Sequence, residues 1–331
     1  MKNIYLVKDY RGAFYSKVEN IREFCSLDLD KIKRIIEKEG FKVKIISFPE
    51  LAVIDIASSF IIYTSSEDYF SLYKNYIESI VMNLNDSNVL IPNVEFLKAH
   101  HNKVAMEMLR NKLLPEQKNI FETEFFGCYE DLKSNNKQPD KWPKVFKLSF
   151  GAGAKGVALA RNKSEILKLG KSLTKTFFLK EFFYEHVARI RRKGYIKRSL
   201  NRNAFIVQNF IPNLSGDYKV LVYGEKYYIL KRENRPNDFR ASGSGLFSFD
   251  IENKEELNLV LDYANEVFLK LKTPLLSLDI AISNGVPYLI EFQAICFGTL
   301  TAEKSNKYYT KKVNSWEESI SSCDVEEEFS N

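Results

Sequence analysis

Lys144-Val145-Phe146-Lys147-Leu148-Ser149-Phe150-Gly151-Ala152-Gly153-Ala154-Lys155-Gly156-Val157-Ala158-Leu159-Ala160 is the stretch on which the fold turns. Gly151, Gly153 and Gly156 fit G-x-G-x-x-G. Gly151 and Gly156 also fit G-x-x-x-x-G, but Val157-Ala158 stands where a P-loop needs Lys and Ser/Thr. A dinucleotide fold opens a helix directly after its glycines. Here Val157-Ala158-Leu159-Ala160 reads as a strand, and the next helix signal is Ser164-Glu165. The spacing therefore predicts a loop joining two antiparallel strands, whose bare backbone N–H groups can fold over a polyphosphate. Lys147, inside the first strand, reaches the same phosphates as a point charge. On this segment alone an ordinary Gly-rich hairpin is an equal reading. A protein kinase is excluded, because H-R-D and D-F-G are missing.

The second informative stretch is Leu278-Asp279-Ile280-Ala281-Ile282-Ser283-Asn284-Gly285-Val286-Pro287-Tyr288-Leu289-Ile290-Glu291-Phe292-Gln293. Two apolar strands flank Asn284-Gly285, a strong hairpin signal. Asp279 and Glu291 each lie among apolar neighbours, and Glu291 and Gln293 share one face of their strand. A buried unpaired carboxylate is costly, so this pair must share a cation or find donors. Oxygen-only ligands suit Mg²⁺. The alternative is a pair of carboxylates salt-bridged to arginines.

Between these stretches, Phe205-Ile206-Val207-Gln208-Asn209-Phe210-Ile211-Pro212, Ser215-Gly216-Asp217-Tyr218-Lys219 and Lys231-Arg232 punctuate apolar strands. Asn237-Asp238-Phe239-Arg240-Ala241-Ser242-Gly243-Ser244-Gly245 follows them. They read as a sheet whose polar exits are rich in cations and hydroxyls; singly, each is a surface loop more often than a site. Residues 189–202 hold seven basic residues and no acidic one. That run either receives an anionic group or is a solvated loop.

The first hundred residues alternate in type. Strands are expected at 4–7, 41–48, 60–63 and 89–91, with helices at 29–39 and around Tyr73, Tyr76, Ile77 and Ile80. That order suggests a small α/β layer with a largely parallel sheet. Residues 93–114 look helical, 131–143 look like a loop, and 253–272 read as a long helix with a core face. The acidic end beyond about residue 305 reads as solvated or frayed.

The 331 residues, about two domains' worth, are 45% hydrophobic and carry 49 Lys+Arg against 43 Asp+Glu, a formal charge of +6. No apolar run approaches a membrane span, and no membrane partner is expected. Four scattered cysteines without C-x-x-C argue for a reduced, cytoplasmic protein. Three histidines make a His-rich zinc site improbable.

In this order the motifs resemble the ATP-grasp superfamily, in particular ligases of the ribosomal-protein glutamate ligase and glutathione synthetase type. The likeness covers residues 95–303. It implies an α/β (α+β) ATP-grasp fold behind an N-terminal pre-ATP-grasp, Rossmann-like α/β domain. The expected divisions are 1–98, 99–305 (a lid at about 120–208 and a C-terminal part at about 209–305), and a 306–331 tail. By resemblance, Lys103, Lys147, Gly151, Gly153 and Gly156 grip the phosphates of ATP. Gln208, Asn209, Phe210 and Ile211 form the adenine hinge, Asp217 lies near the ribose, and Arg240 and Ser242 reach the phosphates and reacting centre. Asp279, Glu291 and Gln293 hold Mg²⁺, expected as two ions. The chain departs from the family at Gln293 (commonly Asn), Asn209 (often Glu) and Lys219 (frequently Arg).

The implied reaction is ATP-dependent joining of a carboxylate to an amine or thiol through an acyl phosphate. Arg240, with Lys219 or Arg232, stabilises that intermediate or its oxyanion. The carboxylate or amine substrate, small molecule or peptide, is expected to be anionic if the basic run receives it. The sequence does not fix the oligomeric state; a homodimer is compatible with the resemblance, since dimers and tetramers are common in that family. Two alternatives use the same residues differently. One is a phosphotransferase acting on a small-molecule acceptor; the other, less favoured, is a nucleic-acid-binding module built on residues 189–202.

Overall fold

The computed structural model describes residues 2–20, 23–136, 141–151, 156–176, 178–234 and 245–331. The chain divides into two compact units, one of residues 1–100 with 213–331 and one of residues 101–212.

In the first unit, apolar runs pair as a four-stranded parallel sheet in the order Lys42–Ser47, Asn3–Lys8, Phe60–Tyr63, Val89–Ile91. Leu6, Val7, Ile61 and Tyr63 are fully buried, as strands covered on both faces require. The helix Leu29–Lys38 starts because Asp28 accepts the Lys31 N–H. It turns Ile32 and Ile36 inward, and it ends before Gly40, whose φ is +86°.

The same unit carries a seven-stranded antiparallel sheet. Its path runs Val286–Gln293, Leu275–Ser283, Gly216–Tyr223, Lys226–Glu233, Lys307–Lys311, Trp316–Ile320, with Phe247–Ser248 beside Lys226–Glu233. The Asn284-Gly285 turn takes φ of +51° and +76°, as a tight hairpin demands. The helix Lys254–Leu271, capped by Asn253, buries Leu257, Val260, Leu261, Ala264, Val267 and Leu271. All of these follow the sequence pattern.

The end of the chain does not. Two strands extend the antiparallel sheet, and the helix Val325–Ser330 buries Val325 and Glu326. Glu326, the capping Asp324 and Glu328 pair with Lys17, Lys31 and Lys226, so the end read as solvated or frayed is docked on the fold, with Val325 in its core.

In the second unit, Glu124–Phe126, Phe205–Asn209, Lys144–Leu148 and Val157–Ala160 form an antiparallel sheet in that order. Phe126, Phe205 and Phe146 stack through it at centroid separations of 5.1 and 4.6 Å. The Pro212 break, read as an interruption within one sheet, separates strands of two sheets. Residues 93–114 form two helices, Val94–Ala99 and Lys103–Leu113. The break falls where His101 adopts φ +56° and Asn102 caps the second helix. Part of the expected 131–143 loop is helical, in Tyr129–Ser134.

Candidate functional site

The glycine loop joins two antiparallel strands, with Lys147 opposite Val157 and the Leu148 N–H bonded to the Gly156 carbonyl at 2.9 Å. Gly156 is required on two counts. Its φ is +76°, and a Cβ there would meet Leu148 Cδ1 at 2.7 Å. Gly151, exposed at φ +133°, accepts a hydrogen bond from Lys103 Nζ at 2.8 Å. A cap places that lysine. Asn102 Oδ1 accepts from the Ala105 N–H at 3.1 Å and from Ser149 Oγ at 2.8 Å, and the Lys103 N–H donates to the Ser149 carbonyl. The buried Ser149 thus pins the start of the helix to the end of the lysine strand. Asn102 and Ser149 had no assigned role in the sequence; the signal was an Asn directly before a helix. Gly153 lies outside the described residues, as do Arg240 and Ser242.

The residues expected at the hinge divide by face. Gln208 is buried and donates to Thr123 Oγ1 at 2.9 Å, while its Oε1 has no hydrogen-bond partner among the described residues. Thr123 in turn donates to Glu107, which pairs with Arg110. Asn209 faces the other way, accepting from Lys144 Nζ at 2.5 Å and donating to Glu122 at 3.1 Å. Phe210 and Ile211 are half-buried beyond the strand end.

In the other unit, sheet register assembles the charged residues. Asp217 is opposite Arg232, Lys219 opposite Asp279, and Asp279 opposite Glu291. A bulge between Asp279 and Ile280 shifts the register immediately after this row. Lys219 Nζ lies 3.0 Å from Asp279 Oδ1. Arg232 donates from Nε to Asp217 at 2.6 Å and pairs through its NH2 nitrogen with Asp279 Oδ2 at 2.9 Å. Gln293 Nε2 lies 3.4 Å from Glu291 Oε1. The five side chains Asp217, Lys219, Arg232, Asp279 and Glu291 therefore sum to one negative charge.

Electrostatics separates the two aspartates. Burial, then repulsion from Asp279, pushes Asp217 up to about 6 against the pull of Arg232. Burial also works to raise Asp279, but Lys219 and Arg232 outweigh it and hold the carboxyl down to about 2. The Arg232 guanidinium, despite burial, is raised by Asp279 and Asp217.

The salt-bridged arrangement raised from the sequence as an alternative is present at Asp279. It differs from that reading in that one arginine and one lysine share the acid. Lys219 and Arg232 are thereby engaged by carboxylates. The site still fits a divalent cation on chemical grounds. Its donors are oxygens, each carboxylate oxygen accepts more than one bond, and the Glu291 carboxylate accepts a hydrogen bond only from Gln293 among the described residues.

No protein-family model matches the chain, and no curated protein matches it. Solved structures do. The ADP complex of purK, N5-carboxyaminoimidazole ribonucleotide synthetase, is similar with a TM-score of 0.50 at 12% identity, over 89% of this chain and 70% of that one. The chain has the ATP-grasp fold. Two other ATP-grasp structures are similar at lower scores. The RimK domain protein ATP-grasp from Sphaerobacter thermophilus DSM 20745 has a TM-score of 0.46 and 11% identity, over 88% of this chain and 90% of that one. D-alanine--D-alanine ligase from Bacillus anthracis, complexed with ATP, has a TM-score of 0.45 and 12% identity, over 89% and 87%.

Proposed function

We propose that the protein is an ATP-dependent ligase that activates a carboxylate as an acyl phosphate and transfers the acyl group to an amine or thiol. The observation that carries this reading is the row Lys219, Asp279 and Glu291 across three adjacent strands, with Arg232 bridging Asp279 to Asp217. Such a row brings acids that accept a cation beside cations that neutralise an anion, which phosphoryl transfer needs.

In this reading a substrate carboxylate oxygen attacks the γ-phosphorus of ATP, and the β–γ bridging bond breaks to release ADP. The amine nitrogen or thiol sulfur then attacks the acyl carbon. The tetrahedral intermediate expels inorganic phosphate and the nucleophile loses its proton. Lys147, Lys103 and the backbone N–H groups of the glycine loop hold the phosphates. Residues 208–211 receive the base, and Asp217 the ribose. Asp279, Glu291 and Gln293 hold Mg²⁺, which supplies charge neutralisation on the transferring group. Arg240 and Ser242 complete the phosphate contacts. Lys219 and Arg232 keep Asp279 ionised at neutral pH and lend positive charge to the acyl phosphate. No Ser, Cys or His nucleophile is needed.

The test is to measure ADP and phosphate release with panels of carboxylic acids, with and without amines, and to add hydroxylamine. Hydroxamate formation without an amine is the expected result. A stable phosphorylated product with no free phosphate would identify a phosphotransferase and defeat the reading. Lys147→Ala and Glu291→Ala should each abolish turnover with the fold intact by circular dichroism; wild-type turnover in either removes that residue from the assignment.

A further inference from the structure

The helix Leu179–Arg191 is built inside out. Its buried residues are Glu185 and Ala188, while Leu179, Phe183, Val187 and Ile190 are 65%, 63%, 45% and 86% exposed. Their spacing of four, four and three places them along one stripe, opposite the buried side. Side chains of this kind ordinarily point into a core. Here the inward position goes to a carboxylate, Glu185, which accepts from Tyr195 Oη at 2.7 Å and from the Arg198 N–H at 2.9 Å. That arrangement ties the basic run against its own helix.

Along the helix and the residues that follow it to Arg202, the charge is one-sided. Glu181 is consumed by Arg202, at 2.5 and 2.6 Å, and Glu185 by the contacts just described. What remains beside the stripe is Lys180 and Arg191 on one flank and Arg189 on the other, followed by Arg192, Lys193 and Lys197. An apolar stripe flanked by cations on a convex helix matches the interface of an anionic bilayer. Apolar side chains enter the acyl boundary while Lys and Arg meet the headgroups.

We propose that the helix Leu179–Arg191, with the basic residues through Arg202, docks the protein onto an anionic membrane surface. The complementarity disfavours other occupants. A second copy would set arginines against arginines, and nucleic acid would leave Phe183, Val187 and Ile190 against phosphates. The expectation of no membrane partner rested on the lack of a spanning segment, and indeed no described helix is long and apolar enough to cross a membrane. Lying on a surface requires neither that length nor uniform hydrophobicity.

The experiment sediments the full chain with vesicles of phosphatidylcholine alone or mixed equally with phosphatidylglycerol. Co-sedimentation with the anionic vesicles only, weakening as salt rises, is expected. Phe183→Asp combined with Ile190→Asp should lower the partition coefficient about tenfold or more, as should Arg191→Glu combined with Arg192→Glu. Because these side chains face outward, unchanged circular dichroism and thermal unfolding are expected in both variants. As a readout independent of any loss of folding, Phe183→Trp should add a tryptophan emission that shifts to the blue with anionic vesicles. No binding, equal binding to both compositions, or wild-type binding by the folded variants overturns the proposal. So does a dimer that Phe183→Asp with Ile190→Asp dissociates, or retention by RNA or an acidic protein in the absence of vesicle binding.

Discussion

Lys219 and Asp279 stand directly opposite each other on neighbouring strands, and their side chains meet at 3.0 Å between Nζ and Oδ1. The second oxygen of Asp279 goes to Arg232, which also holds Asp217. One guanidinium therefore serves two carboxylates. Arg232→Met should strand both acids with only Lys219 nearby and lower stability by about 2–4 kcal/mol in chemical denaturation, with residual solvent access placing it toward the low end. Arg232→Lys should recover only part, because a single ammonium cannot span both acids in the fork geometry. Full recovery by lysine would show that the bridge is not structurally used.

The two aspartates share an arginine yet respond to pH in opposite senses, because burial and repulsion from Asp279 outweigh its pull at Asp217 while Lys219 adds to it at Asp279. Asp217, raised to about 6, favours the fold while protonated; that contribution is complete below the ordinary carboxyl range and is lost as pH rises through about 6. Asp279, lowered to about 2, contributes above the ordinary range and loses its contribution as pH falls toward 2. Comparing Asp217→Asn with the parent isolates the first effect. Between pH 4 and 6.5 the stability difference should move in the variant's favour by up to about 3 kcal/mol, the equivalent of about two pKa units. A difference that stays flat across that window would contradict the elevated Asp217.

At the glycine loop, the close approach of Gly156 to Leu148 gives a separable prediction. Gly156→Ala should cost about 2–4 kcal/mol, combining left-handed strain with a clash against Leu148. Adding Leu148→Ala removes the two nearest atoms, leaving the strain and the Cβ contact at 3.0 Å, so the double variant should lose less than the sum of the singles. Denaturant midpoints of the four proteins in the cycle give the coupling. Strict additivity would mean that the loop relaxes away from Leu148.

Features coded by neighbouring residues were legible in the sequence. The Asn284-Gly285 hairpin, the core face of Lys254–Leu271 and the strand after the glycines all follow from local period and turn chemistry. The break at His101 was hidden because apolar spacing continues across it, and only the cap at Asn102 marks the restart. The partners of Asp279 carried no local signal at all. They come from strands some fifty residues away, and only sheet register decides which cation stands opposite. The need of these carboxylates for cations was therefore readable, but which cations stand opposite them was not.

The acidic end supplies the sharpest case of the same kind, because a run of Glu reads as solvent-facing until its partners are known. Glu326 accepts from the Asp28 N–H at 3.1 Å and pairs with Lys17 Nζ at 2.8 Å, while Phe329 sets its ring edge-on to Phe14 and Tyr15 at 5.5 and 4.9 Å. Glu328 meets Lys226 at 2.7 Å and Tyr228 Oη at 3.0 Å. Ending the chain at Cys323 should thus uncover the buried Ile32 and Phe14. It should also remove the Glu326 carboxylate from Lys17 and destabilise the protein by about 3–5 kcal/mol. Phe329→Ala alone should cost about 2 kcal/mol, and Glu327→Gln, at an exposed position, almost nothing. Thermal unfolding of the three proteins distinguishes a docked helix from a solvated end, for which all three would melt with the parent.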